Sequence, residues 1–176
     1  MRIVAISVLL LSIVLVSCKQ NMSKKIIGTW HGIKLESPDM DAYFANNKNY
    51  IDTLGANGDS ATNVSIYGSN NIDSLRQILR TQFDSAKNME YGMVLTSKFK
   101  FKPNNEIVMA FGENADSSKY RIVGDTELVL TQIKKQDPSA PDSVTIHILS
   151  LSDSILKLQF HEETSVSTVT FRREGK

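Results

Sequence analysis

The sequence has little cysteine and no excess of charge of either sign. One cysteine occurs among 176 residues, so no disulfide can form within the chain. Lysine and arginine number 20 against 19 aspartate and glutamate residues, which gives a net charge of +1. This balance argues against the basic surface that nucleic-acid-binding proteins need, and no nucleic-acid partner is expected. The chain is long enough to bury the core of one domain.

Signatures of catalysis are also missing. The three histidines, His31, His147 and His161, show no i,i+4 ligand spacing, so neither a metal site nor a cofactor is predicted. No Gly-x-Ser-x-Gly elbow occurs, and the adjacent Glu162 and Glu163 would face opposite sides of a strand. We therefore expect that the protein is not an enzyme. A hydrolase whose site cannot be read from motifs is the alternative.

The one long apolar run lies at the N-terminus. Met1-Arg2 is followed by apolar residues over 3–14, a length typical of signal peptides and shorter than the roughly 20 residues of a membrane span. The run closes on Leu15-Val16-Ser17-Cys18, which resembles the lipobox of bacterial lipoproteins. The resemblance implies cleavage before Cys18 and acylation of that residue. An ordinary secretory signal with a chance cysteine is the alternative.

These features divide the chain into three predicted parts. Residues 1–17 are a lipoprotein signal peptide, residues 18–25 a lipidated polar tether, and residues 26–176 the folded domain. Acyl chains on Cys18 would make the membrane a partner, because each buried methylene contributes about 0.8 kcal/mol. No acidic cluster follows Cys18, and the next residue is Lys19 rather than Asp. Among lipoproteins this favours the outer membrane, with the domain facing the periplasm.

Alternating apolar and polar residues predict strands over 26–35 and through most of 93–173. Lys98, Lys100 and Lys102, for example, alternate with Phe99 and Phe101. Residues 112–118 are expected to form a loop. Eight short strands joined mostly by hairpin-length loops favour a closed meander, because closure removes exposed edges. The predicted fold is mainly β, an eight-stranded antiparallel up-and-down barrel, whose interior is either filled or holds one small ligand.

Residues 36–92 have a helical period instead and form an insertion between strands 1 and 2. Ser37-Pro38-Asp39 is a typical helix start, and Gly55 suits the end of that helix. A second apolar stripe begins at Ile72. Two amphipathic helices are therefore predicted. The Gly-, Asn- and Ser-rich connection over residues 55–71 is expected to be mobile.

Gly28-Thr29-Trp30, at the start of the first strand, resembles the Gly-x-Trp opening of lipocalins. The later strands, with Gly124-Asp125 as a tight connection, look like the lipocalin-like domains of lipoproteins of the Bacteroidota. The similarity covers residues 26–35 and 93–173 and none of the insertion. It implies that Trp30 plugs the base of the barrel. Gly32 is expected to allow a β-bulge that turns Trp30, Ile33 and Leu35 all inward.

The inward strand positions provide a candidate ligand site, which suits a small hydrophobic ligand such as an acyl chain. Its predicted wall consists of Phe99, Phe101, Met109, Phe111, Tyr120 and Phe160. The helices of the insertion are predicted to cover the barrel mouth as a lid, similar in architecture to the helical cover of fatty-acid-binding barrels. The lid residues are Tyr43, Phe44, Leu75, Leu79 and Phe83.

The function predicted from these features is that of a membrane-anchored envelope lipoprotein that binds a small hydrophobic ligand in a lidded barrel. The alternative is a protein-binding or inhibitory envelope module with a filled interior and no small ligand. In that case the helices pack on the outer wall of the barrel or recruit a protein partner.

Overall fold

The computed structural model describes residues 22–133, 141–162 and 164–175. The predicted signal peptide, Cys18 and the first part of the tether lie outside these residues. The elements follow in chain order as α1 (Met22–Lys25), β1 (Gly28–Glu36), α2 (Pro38–Thr53), α3 (Ser60–Tyr67), α4 (Ile72–Leu95), β2 (Lys98–Phe101), β3 (Glu106–Phe111), β4 (Asn114–Val123), β5 (Glu127–Gln132), β6 (Ser143–Leu151), β7 (Ile155–Glu162) and β8 (Ser165–Arg173).

The eight strands form a closed barrel in sequence order, and every neighbouring pair is antiparallel. β8 closes the barrel by pairing with β1. The predicted eight-stranded antiparallel barrel with helices between strands 1 and 2 is thus confirmed. We call the end at which β1, β3, β5 and β7 begin the closed end, and the end at which they finish the mouth.

The first strand contains the predicted irregularity. Gly32 pairs with Phe171 and Lys34 with Thr170, so Ile33 is the extra residue of a β-bulge. Beyond the bulge Leu35 lies opposite Val169 and packs against the barrel core. Gly32 has a second role, because a Cβ there would lie 2.1 Å from the carbonyl oxygen of Val94. The end of α4 therefore approaches β1 at a distance that only glycine allows.

The loop predicted over 112–118 is wrong for most of its length. β4 begins at Asn114, and its register with β3 runs without a break from Asn114 opposite Phe111 to Lys119 opposite Glu106. A tight turn at Gly112, with φ of 59°, joins the two strands. Residues 114–117 are polar or small, so the hairpin pairing rather than apolar alternation makes this segment a strand.

The insertion contains three helices where two were predicted. The additional helix, α3, lies in the connection that was expected to be mobile. The side chain of Asp59 accepts a hydrogen bond from the Thr62 backbone N–H at 2.8 Å, and Gly68 ends the helix in the left-handed conformation. An aspartate cap at the start and a glycine at the end thus define a helix inside a Gly- and Asn-rich segment.

The two longer helices, α2 and α4, pack against each other. The Phe44 ring meets Phe83 edge-on at a centroid distance of 5.3 Å, and Lys87 lies over the Phe44 ring. Away from the barrel, Arg76 of α4 donates two hydrogen bonds to the Leu54 carbonyl, which lies just beyond the end of α2. Where the helices reach the barrel, α4 contacts β1 and α2 contacts β8.

Candidate ligand cavity

The closed end of the barrel is filled. Trp30 is fully buried and donates a hydrogen bond from its indole nitrogen to the Ile26 carbonyl at 2.8 Å. The Arg173 guanidinium covers the Trp30 ring at 4.3 Å and donates to the Ile27 and Lys25 carbonyls. Trp30, predicted to plug the barrel base, therefore contacts both Ile26, just before the first strand, and Arg173, at the end of the last strand.

The mouth, in contrast, contains a cavity of about 710 Å³. Its apolar wall includes Phe99, Met109, Phe111, Leu130, Ile146 and Phe160. Polar side chains from the mouth ends of β4, β5 and β6 complete the lining: Asp116, Ser117, Ser118, Gln132 and Ser143. Such a chamber can surround an apolar group and offer polar contacts at its rim.

Four of the six predicted wall residues line this cavity, namely Phe99, Met109, Phe111 and Phe160. The other two, Phe101 and Tyr120, are outside its lining and pack edge-on against each other at 5.1 Å. The Tyr120 hydroxyl donates to the Lys102 carbonyl at 3.3 Å, and burial raises the pKa of this tyrosine. The structure thus divides the inward set into a packed closed end and a hollow mouth.

None of the five predicted lid residues is among the described residues that line the cavity. Phe44 is buried against Phe83 within the helix pair, whereas Tyr43 is 61% exposed. Leu75 and Leu79 are half-buried. The Phe44–Phe83 contact thus joins α2 to α4, while Val94 at the end of α4 packs against the barrel core.

Several lining residues lie outside the predicted wall, of which Asp116 and Gln132 are the most polar. Asp116 has the same inward parity as the buried Ser118 and Tyr120 on β4, and Gln132 has that of the buried Leu128 and Leu130 on β5. The alternation of each strand, extended toward the mouth, identifies both residues. Asp116 escapes the prediction because its segment has the composition of a loop.

The three histidines do not converge on one site. His147 and His161 lie beside each other on neighbouring strands, with ring centroids 5.0 Å apart, and His31 lies 3.4 Å from the Glu174 carboxylate. Within the described part of the chain, no group of three or more metal-ligating side chains converges. None of the helices in that part combines the length and the apolarity needed to cross a bilayer.

Comparison with known proteins identifies no relative. No family model matches the chain, and neither a curated protein nor a solved structure shows significant similarity to it. The barrel itself, eight antiparallel strands closed in sequence order, is compatible with a lipocalin-like fold.

Proposed function

We propose that this protein is a lipid-anchored envelope lipoprotein that holds a small hydrophobic ligand in the mouth cavity. The supporting observation is a chamber of about 710 Å³ with a largely apolar wall, opposite a filled closed end. Ligand pockets commonly enclose roughly 300–1,000 Å³ and combine apolar walls with a few polar groups. No catalytic role is part of the proposal.

The proposed anchor is an acylated Cys18, as in lipoproteins with lipocalin-like domains of the Bacteroidota type. Four peptide units separate Cys18 from Met22, and a chain of that length spans at most about 14 Å. Met22 packs against the core, and Lys25 pairs with Asp153 in the β6–β7 turn at the closed end. An anchored molecule would therefore hold its closed end near the bilayer, with its mouth toward the aqueous compartment.

The ligand can be sought directly by native mass spectrometry of protein purified without denaturant. A chain beginning at Lys19 is suitable, because all the described strands and helices lie within residues 22–175. We expect a hydrophobic molecule to co-purify. An empty monomer that reproducibly hydrolyses ester or glycan probes would overturn the proposal.

A wedge in the mouth provides the matched test. Val144 lines the cavity, whereas Leu149, on the same strand, is 51% exposed and is the extra residue of a bulge. We expect Val144→Trp to lower the affinity for a fluorescent hydrophobe such as N-phenyl-1-naphthylamine at least tenfold, while Leu149→Trp leaves it unchanged. Equal effects of the two variants would contradict a mouth site.

The anchor is tested separately. Cys18→Ala removes the only thiol of the chain, so it should abolish palmitate labelling and leave the precursor uncut or the protein released from the membrane. Unchanged processing and fractionation would contradict the proposed lipoprotein, without bearing on the cavity.

A second candidate function, protein binding, is favoured by the insertion. Its helices expose large apolar side chains, among them Tyr50, Ile66, Ile78, Met89 and Met93. Large contiguous apolar patches mark interaction surfaces on soluble proteins, and these side chains are the candidates for such a patch. A partner chain in the native mass spectrum, lost on Met89→Asp substitution, would favour this function over ligand transport.

A further inference from the structure

Among the described residues that line the mouth cavity, Asp116 is the only one with a formal charge, and none is lysine, arginine or histidine. The remaining polar contacts of this described lining come from serine hydroxyls and the amide of Gln132. On this part of the wall a ligand therefore meets a carboxylate and neutral dipoles.

The position of Asp116 in the strand directs this carboxylate toward the cavity. It lies two residues before Ser118 and four before Tyr120, both buried inward positions of β4. Across the hairpin Asp116 pairs with Met109, which is part of the apolar wall. Asp116 itself is exposed. The negative charge thus stands at the rim, directly above the apolar wall.

An amphiphile seated with its tail in the cavity would place its head group beside this carboxylate. A protonated amine there is attracted, a hydroxyl can donate a hydrogen bond to the carboxylate, and an anionic head group is repelled. Because the rim is exposed, water and salt weaken each of these effects, and differences of severalfold rather than of many orders of magnitude are expected.

We infer that the mouth cavity selects hydrophobes bearing a protonated amine over those bearing a carboxylate, with Asp116 as the residue that sets this preference. The inference rests on the proposed ligand-binding function and specifies its ligand class. It departs from the fatty-acid-like ligand that an apolar wall alone would suggest, because the described wall contains an acidic side chain and no cationic one to form an ion pair with a carboxylate.

Three compounds with the same tail isolate the head group: dodecylamine, dodecanol and dodecanoate. Each is used below its micellar concentration to displace N-phenyl-1-naphthylamine from the chain beginning at Lys19, at pH 7.5. We expect dodecylamine to bind best and dodecanoate worst, with about a tenfold difference in affinity at low salt that shrinks in 0.5 M NaCl.

Two substitutions of Asp116 and one control substitution test whether this residue sets the head-group preference. Asp116→Asn should bring the three affinities within about twofold of one another, and Asp116→Lys should reverse their order. Asp125→Asn, in the exposed β4–β5 turn at the opposite end of the barrel, should leave the order unchanged. Thermal unfolding of each variant serves to show that the exposed substitutions leave the fold intact.

The outcomes separate the inference from the function on which it rests. If neither the probe nor any of the three compounds binds, the proposed ligand-binding function fails, and the inference fails with it. If dodecanoate binds best, or all three compounds bind equally, the ligand-binding function stands but the selectivity for amines is overturned. If Asp116→Asn leaves the order unchanged, the role of Asp116 in setting the preference is overturned.

Discussion

The two ends of the barrel are built from the same strands with the same alternation of inward and outward residues, but they differ in how tightly the interior is packed. At the closed end Trp30 and Ile107 are completely buried, whereas at the mouth Phe111 and Val144 remain 47% and 48% exposed. The closed end is sealed by α1, by Ile26 and by the Arg173 side chain over Trp30. At the mouth, Val94 at the end of α4 packs against the barrel core, but a cavity remains beside it. An eight-stranded barrel can thus be packed in one half and hollow in the other.

Truncation of one aromatic residue at each end of the barrel tests this difference in packing. Trp30→Ala removes a fully buried ring, together with its hydrogen bond and the Arg173 contact, and should cost about 3–5 kcal/mol. Phe111→Ala should cost well under half as much, because that ring is already half exposed. Urea unfolding measures both. Equal losses would mean that the mouth is packed as tightly as the base.

Substitutions at two adjacent residues of α2 test whether the helix pair contributes to ligand binding in the cavity. Phe44 is buried against Phe83, so Phe44→Ala should lower the free energy of unfolding by about 3 kcal/mol. Tyr43 is exposed, so Tyr43→Ala should lower it only slightly. Neither variant should change the affinity for N-phenyl-1-naphthylamine, since neither residue lines the cavity. A loss of affinity in either variant, with the barrel still folded, would favour the predicted lid.

A third prediction concerns the junction between the helices and the barrel. Gly32→Ala places a Cβ 2.1 Å from the Val94 carbonyl oxygen and 2.4 Å from the Ser97 hydroxyl, and should destabilise the protein by about 1–3 kcal/mol. Gly92→Ala, in α4 with open space around its Cβ position, should instead stabilise it by up to about 1 kcal/mol. Thermal unfolding measures the stability of both variants. If the two substitutions change it in the same direction and by the same amount, the close approach of α4 to β1 is contradicted.

The smallest expected effect is a change in acid stability at the closed end. Hydrogen bonds from Lys119, Asn104 and Lys102 lower the pKa of Glu106 from 4.5 to about 2. The folded state therefore gains stability from ionised Glu106 above pH 4.5 and loses that gain as the pH falls toward 2.

The test is the pH dependence of unfolding by urea. Glu106→Gln should flatten the loss of stability between pH 4.5 and 2, while Glu113→Gln, in the exposed β3–β4 turn, should not. An unaltered profile in Glu106→Gln would show that the ion pairs at this site contribute nothing measurable.

Much of the architecture can be read locally. The alternation of Lys98, Lys100 and Lys102 with Phe99 and Phe101 sets which side chains face inward, because successive strand residues point to opposite faces. The bulge at Gly32 could be predicted because Trp30 and Leu35 are both apolar although they differ in parity. The strand at Asn114 could not, since its pairing partner and not its own composition makes it a strand.

Alternation along the chain is enough to assign the inward side of most strand residues, and helical periodicity is enough to assign the apolar face of each long helix. The depth of each residue along the barrel follows only from strand pairing, and this depth separates Phe101 and Tyr120 from the cavity that Phe99, Phe111 and Asp116 line. The contact between the two long helices is likewise a property of the folded chain. Local periodicity specifies direction, whereas burial depends on which surface the closed chain brings within reach.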